Sequence, residues 1–204
     1  MKKQVVFIGG GDSYSNYDDY VRALQSAPVR NPLGEATPRW TDSLRENLGE
    51  GYELYMIPMP NTDNAKYEEW KIWFEKYFEY FRDDVVLVGW SLGGMFLAKY
   101  LSENPPTFRL GGLFLLAAPC GSYDDGNGND CGSFQFDPQI LIATFGSGIG
   151  ITIMHSTDDF VVPYEHALQY AEVLPEAELI TFEDKTHFLV AELPELIERI
   201  KEMG

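Results

Sequence analysis

Basic residues are scarce in this chain: 15 Lys and Arg stand against 32 Asp and Glu, a formal charge of −17 over 204 residues. A surface of that sign repels nucleic acid and anionic membrane, so neither is expected as a partner. It disfavours anionic substrates and tolerates neutral or cationic ones. Long apolar runs are also missing, none approaching the ~20 residues that a membrane span requires. Cysteine is nearly absent. Cys120 and Cys131 alone do not make a disulfide framework in a chain of this size, and free thiols are expected. The opening "MKKQVVFIGGG" has the lysines and the apolar run of a signal peptide, but the run ends in glycines with no small-x-small cleavage site. It reads better as a first strand. A cytoplasmic location is the default expectation.

Hydrophobic residues make up 45% and aromatics 14%, enough for an ordered core, and the length suits one domain. Short β-branched or apolar runs recur at residues 4–8, 52–57, 85–88, 110–117, 149–154 and 178–182. They lack polar alternation, as strands buried on both faces do. Helical spacing lies between most of them. In "YEEWKIWFEKYFEYF", Tyr67, Trp70, Phe74, Tyr77, Phe78 and Phe81 recur at three and four residues, as one helix face packed on a sheet. Further helices are expected over 39–48, 92–103, 164–173 and 193–202. Strand and helix in alternation imply a mostly parallel sheet of about six strands, with helices on both faces and right-handed crossovers. Ligands in such sheets bind at the carboxyl ends of the strands.

Two segments break this rhythm. Residues 12–38 form a long passage after the first strand, part of it (18–25) with helical character. Residues 119–137 follow the fourth strand and contain "DDGNGNDCG". There Asp125, Asn127 and Asn129 mimic the start of a calcium loop, but the glycine at position six and the glutamate at twelve are missing. No metal is expected. Tyr14, Tyr17 and Tyr20 in the first segment suit the wall of a pocket, which would make 12–38 a partial lid.

The chemistry centres on "LVGWSLGGMFLAKYL". Gly89-Trp90-Ser91-Leu92-Gly93 fits G-x-S-x-G between an apolar strand and an apolar helix. A strand reversing straight into a helix crowds the positions two before and two after the serine, so only glycine fits there. Ser91 is then held in a strained backbone conformation with its hydroxyl exposed at the top of the sheet. The bland alternative is that Ser91 merely caps the helix.

A nucleophilic serine on this turn needs a carboxylate and then a histidine, in that order along the chain. In "ITIMHSTDDFVVP" a strand ends at two aspartates, Asp158 and Asp159, of which only one should face a base. His155 precedes both and is eliminated by order. His166 falls in the next helix and points along it. His187, in "EDKTHFLV", follows the last strand in a loop at the carboxyl edge, and is the expected base. An oxyanion hole needs the Leu92 N–H and a second N–H from the loop after the first strand. "FIGGGDS" supplies that loop with Gly9, Gly10 and Gly11. The same glycines do not fit a dinucleotide fingerprint, since Tyr14 stands where its third glycine belongs.

With elbow, acid and histidine placed in this order, the chain resembles the α/β-hydrolase superfamily, and within it the compact retinoblastoma-binding-protein-like serine hydrolases. The likeness rests on Trp40 and Leu44, "MPNTDNAKYEEW", the elbow, "HSTDDFVVP" and "THF". It implies an α/β-hydrolase fold with no large cap domain, and Ser91, Asp159 and His187 as nucleophile, acid and base. Two departures bear on substrate class: the long 12–38 passage, and Trp90 where many relatives have histidine. The expected activity is hydrolysis of a carboxylic ester or related small acyl compound, without a cofactor. Gly11 and Leu92 are the expected oxyanion donors, and Tyr14, Trp90 and Phe160 the expected substrate-binding side chains. The pattern leaves open an amide or peptide hydrolase with the same triad, and a non-catalytic binding protein on the same fold. It does not give the oligomeric state.

Overall fold

In chain order the strands are β1 (Lys3–Ile8), β2 (Tyr52–Ile57), β3 (Val85–Trp90), β4 (Leu110–Leu116), β5 (Ile151–Ser156) and β6 (Glu178–Phe182). The computed structural model describes residues 1–29, 31–144 and 149–203. All strand pairs are parallel, and the order across the sheet is β2-β1-β3-β4-β5-β6. The seven helices among the described residues are α1 (Tyr17–Ser26), α2 (Leu44–Leu48), α3 (Tyr67–Glu75), α4 (Leu92–Glu103), α5 (Ile140–Thr144), α6 (Glu165–Val173) and α7 (Pro194–Glu202).

Successive residues of β1 serve opposite faces, as the two-residue period of a strand requires. Val6 and Ile8 join Leu87, Leu115 and Ile153 against Trp70 and Phe74 of α3, Met95 and Phe96 of α4, and Tyr170 of α6. Val5 and Phe7 join Val86, Val88 and Phe114 against Trp40, Leu44 of α2 and Leu196 and Ile200 of α7. Helices thus cover both faces, and the strand runs lack alternation for that reason. Between β4 and β5 the described residues hold only a 3₁₀ turn at Gly132–Phe134 and the short α5, without a cap domain.

Four elements differ from the sequence-based expectation. The helix expected over 39–48 is only Leu44–Leu48. Residues 39–43 instead form a turn in which Asp42 accepts the Arg39 N–H at 2.9 Å and the Ser43 hydroxyl reaches the Trp40 carbonyl at 3.4 Å. Short polar side chains that bond nearby backbone compete with the helix in this way. The aromatic stripe does not stay helical to Phe81. α3 ends at Glu75, and a 3₁₀ turn at Phe78–Tyr80 lets Phe78 and Phe81 meet the ring of Phe108 edge-on, with centroids 5.1 and 5.3 Å apart. β5 begins and ends two residues later than expected, which brings His155 and Ser156 inside the strand. No helix is expected from the sequence at α5.

Cys120 and Cys131 are free and buried. Burial pushes each thiol up to about 12, aided at Cys131 by Asp130. Folded protein kept without reductant should therefore resist a thiol reagent at mildly alkaline pH and release both thiols in denaturant. An absence of titratable thiols in denaturant, with the mass of an intramolecular bridge, would contradict this.

Candidate active site

Ser91 sits where β3 turns into α4, with φ 55° and ψ −126°. A residue bearing a Cβ is strained at that φ and holds it only because its surroundings over-determine it. The Ser91 N–H donates to the Leu116 carbonyl at 2.8 Å, and the Ser91 carbonyl accepts the N–H groups of Gly94 and Met95. The side chain makes no capping bond, so the hydroxyl is not taken up by the helix. The flanking glycines answer to crowding. A Cβ on Gly89 would stand 2.5 Å from the Gly94 Cα, and one on Gly93 would stand 2.3 Å from the Ile8 carbonyl oxygen.

The carboxylate expected as the acid lies in the turn after β5. Asp159 Oδ1 accepts the N–H groups of Val161 and Val162, at 2.8 and 2.9 Å. That grip turns Oδ2 toward His187, whose Nδ1 lies 2.8 Å away. Burial by itself would raise the carboxyl of Asp159, but hydrogen bonds from His155 and His187, the His187 charge and the Val162 N–H together hold it well below the usual range. Asp158 points elsewhere: its Oδ1 accepts from the Ser156 hydroxyl and from the Thr186 N–H at 2.9 Å. It ties the β5 turn to the loop that carries the histidine.

That loop is itself strained, with φ of 48° at Thr186 and 51° at Phe188 on either side of His187. His187 is 5% exposed. Trp90, next to the serine, donates from Nε1 to the His187 carbonyl at 3.1 Å, and its ring lies 5.7 Å from the imidazole. Elbow and histidine loop are thereby fastened together.

His155, eliminated as a base by order, still reaches Asp159. Its Nε2 is 3.2 Å from Asp159 Oδ2 and 2.9 Å from the Val162 carbonyl, with the ring 1% exposed. No sequence signal marks this, because it depends on β5 running on to Ser156. His166 is also buried, and its Nδ1 accepts the Cys120 N–H at 3.1 Å, remote in role from Asp159.

The glycine loop after β1 lies against the serine. A Cβ on Gly10 would come within 2.9 Å of Ser91 Cβ and 3.3 Å of its Oγ. Gly11 backs onto the Thr62 carbonyl, which accepts the Asp12 N–H at 2.8 Å, so the loop is laced to the segment after β2. Leu92 is the first residue of α4, where helix geometry leaves the N–H without an intrahelical acceptor. Of the side chains expected to touch substrate, Phe160 is 72% exposed beside Asp159, whereas Tyr14 is buried against Tyr20. Trp90 is half-buried between Trp40 and His187.

The start of the first irregular segment, at Asp12 and Ser15, binds Asn129 and Asp130 of the second. Asn129 donates to Asp12 at 2.7 Å and Asp130 accepts the Ser15 N–H at 2.9 Å, while no residue of α1 is buried. Asp125 Oδ1 is occupied by the N–H groups of Asn127 and Asn129, so its spacing serves a turn. Among the described residues, no three His, Cys, Asp or Glu side chains are grouped to hold a metal ion. No helix among them is long and apolar enough to cross a membrane.

An all-parallel sheet with a strained serine after the third strand, and a carboxylate bonded to a histidine after the fifth and sixth, defines the α/β-hydrolase fold. Residues 34–199 match the family described as Serine hydrolase, and the chain belongs to it. No curated protein sequence matches. Among solved structures it is similar to the ydeN gene product from B. subtilis, with 22% identity, TM-score 0.74 and coverage of 99% of this chain and 98% of that one. It is also similar to Est1E from Butyrivibrio proteoclasticus, with 16% identity, TM-score 0.66 and coverage of 98% and 86%. At these identities the likeness is one of fold.

Proposed function

We propose that this serine hydrolase cleaves carboxylic esters through Ser91, Asp159 and His187. The observation that carries the reading is the 2.8 Å contact of His187 Nδ1 with the buried Asp159. It fixes the tautomer that leaves Nε2 free to accept a proton. As Ser91 Oγ bonds to the acyl carbon, His187 takes the hydroxyl proton, and the N–H groups of Gly11 and Leu92 hold the developing oxyanion. The bond from carbon to the leaving oxygen then breaks, and that oxygen receives the proton. Water, deprotonated by the same histidine, attacks the acyl-enzyme and releases acid and free Ser91. No cofactor enters. Within the superfamily we place the chain with the compact retinoblastoma-binding-protein-like hydrolases. Trp40 supports this by filling the space between Phe7 and Trp90. The two unpaired thiols favour a cytoplasmic enzyme.

A fluorophosphonate probe should label Ser91, and a panel of chromogenic esters should be turned over faster than matched aminoacyl anilides. Labelling without turnover of any ester would leave a binding protein on this fold, and faster anilide cleavage would make it an amidase.

A further inference from the structure

At the carboxyl edge of the sheet, between the ends of β1 and β2, lies an open cleft of about 390 Å³. Its lining includes Phe7, Met56, Ile57, Pro58 and Met59, with Gly9 and Gly10 along one side. Gly10 adjoins both the cleft and the nucleophile, since a Cβ on it would stand 2.9 Å from Ser91 Cβ. Met56 is 42% exposed, so an apolar side chain at the rim is left without a protein partner over much of its surface. The volume falls at the small end of the ~300–1,000 Å³ typical of ligand sites.

Sheet order gives the cleft a direction. Asp159 and the His187 loop follow β5 and β6, on one side of β3, whereas the cleft lies beyond β1 on the other. A histidine that returns the proton to the leaving oxygen requires that oxygen on its own side. The acyl substituent then extends the opposite way, past Gly10.

We propose that this cleft is the acyl subsite and takes a neutral aliphatic acyl group of short to medium length. The inference rests on Ser91 being the nucleophile. Thioether side chains adapt to chains of differing length, which suits graded rather than absolute selection. The overall acidic charge disfavours an acyl group carrying a carboxylate.

The test is kcat/KM for p-nitrophenyl acetate, butyrate, hexanoate and octanoate, with fluorophosphonate labelling of Ser91 run in parallel. Each buried methylene should raise kcat/KM about fourfold until the cleft is full. Met56→Glu should flatten that rise by placing a carboxylate at the rim, and Met56→Leu should keep it. Ratios taken within one protein are insensitive to a folding defect that slows all substrates alike. A parent enzyme that labels at Ser91 but shows no rise with chain length would overturn the cleft alone. So would a Met56→Glu enzyme with the parent's full rise. Failure to label would overturn the nucleophile assignment on which both rest.

Discussion

Ser91→Ala should fold as the parent does and lose ester turnover by on the order of 10⁶-fold, together with all fluorophosphonate labelling. Loss of fold is not expected, because the Ser91 hydroxyl caps nothing and the backbone bonds to Leu116, Gly94 and Met95 do not involve it. Ser91→Gly adds a second readout. The strained φ of 55° costs a residue with a Cβ on the order of 1 kcal/mol, and glycine does not incur that cost. Neither substitution removes a capping bond, so Ser91→Gly should be inactive and at least as stable to denaturant as Ser91→Ala. A Ser91→Ala enzyme that still labels, at another serine, would remove Ser91 from the mechanism. Equal inactivity with Ser91→Gly clearly the less stable would mean that the turn is not strained as its backbone angles imply.

The sheet was legible because its strands are apolar on both sides, and each apolar run from "QVVFI" to "ELITF" lies in or against an observed strand. Motif order led to the strand-to-helix turn at Ser91 and to the His187 contact with Asp159 for a similar reason. A sharp strand-to-helix turn tolerates few residues, and Gly89 and Gly93 declare it. Resolution failed where short polar residues choose among local bonds. Asp42 and Ser43 turn the chain before α2, an outcome that helical spacing does not encode. Asp158 and Asp159 are chemically identical neighbours, and only the turn that offers the Val161 and Val162 N–H groups to one of them separates their directions. The β1–β2 cleft was invisible for another reason. Phe7, Gly10, Met56 and Met59 belong to two strands and the loops after them, and nothing local marks any of them as lining one space.

Asp159→Asn should lower kcat by on the order of 10⁴-fold at neutral pH, far more than Asp158→Asn. The amide cannot stabilise an imidazolium, and it removes an acceptor held 2.8 Å from His187 Nδ1. Asp158→Asn keeps an oxygen for the Thr186 N–H, so it should disturb the histidine loop only slightly. The reverse ranking would put the acid one residue earlier. Stability gives an independent check, with a definite sign. The Asp159 carboxyl is held below its ordinary value of 3.8 in the folded protein. Its contribution to stability is therefore fully present above that value, and is lost as pH falls through the lower folded value. Denaturant titrations of parent and Asp159→Asn across acidic pH should show the gap between them at its widest near neutrality and narrowing below 3.8. A gap that stays constant down the acid limb would mean that the carboxylate's charge is not what His155, His187 and the Val162 N–H hold in place.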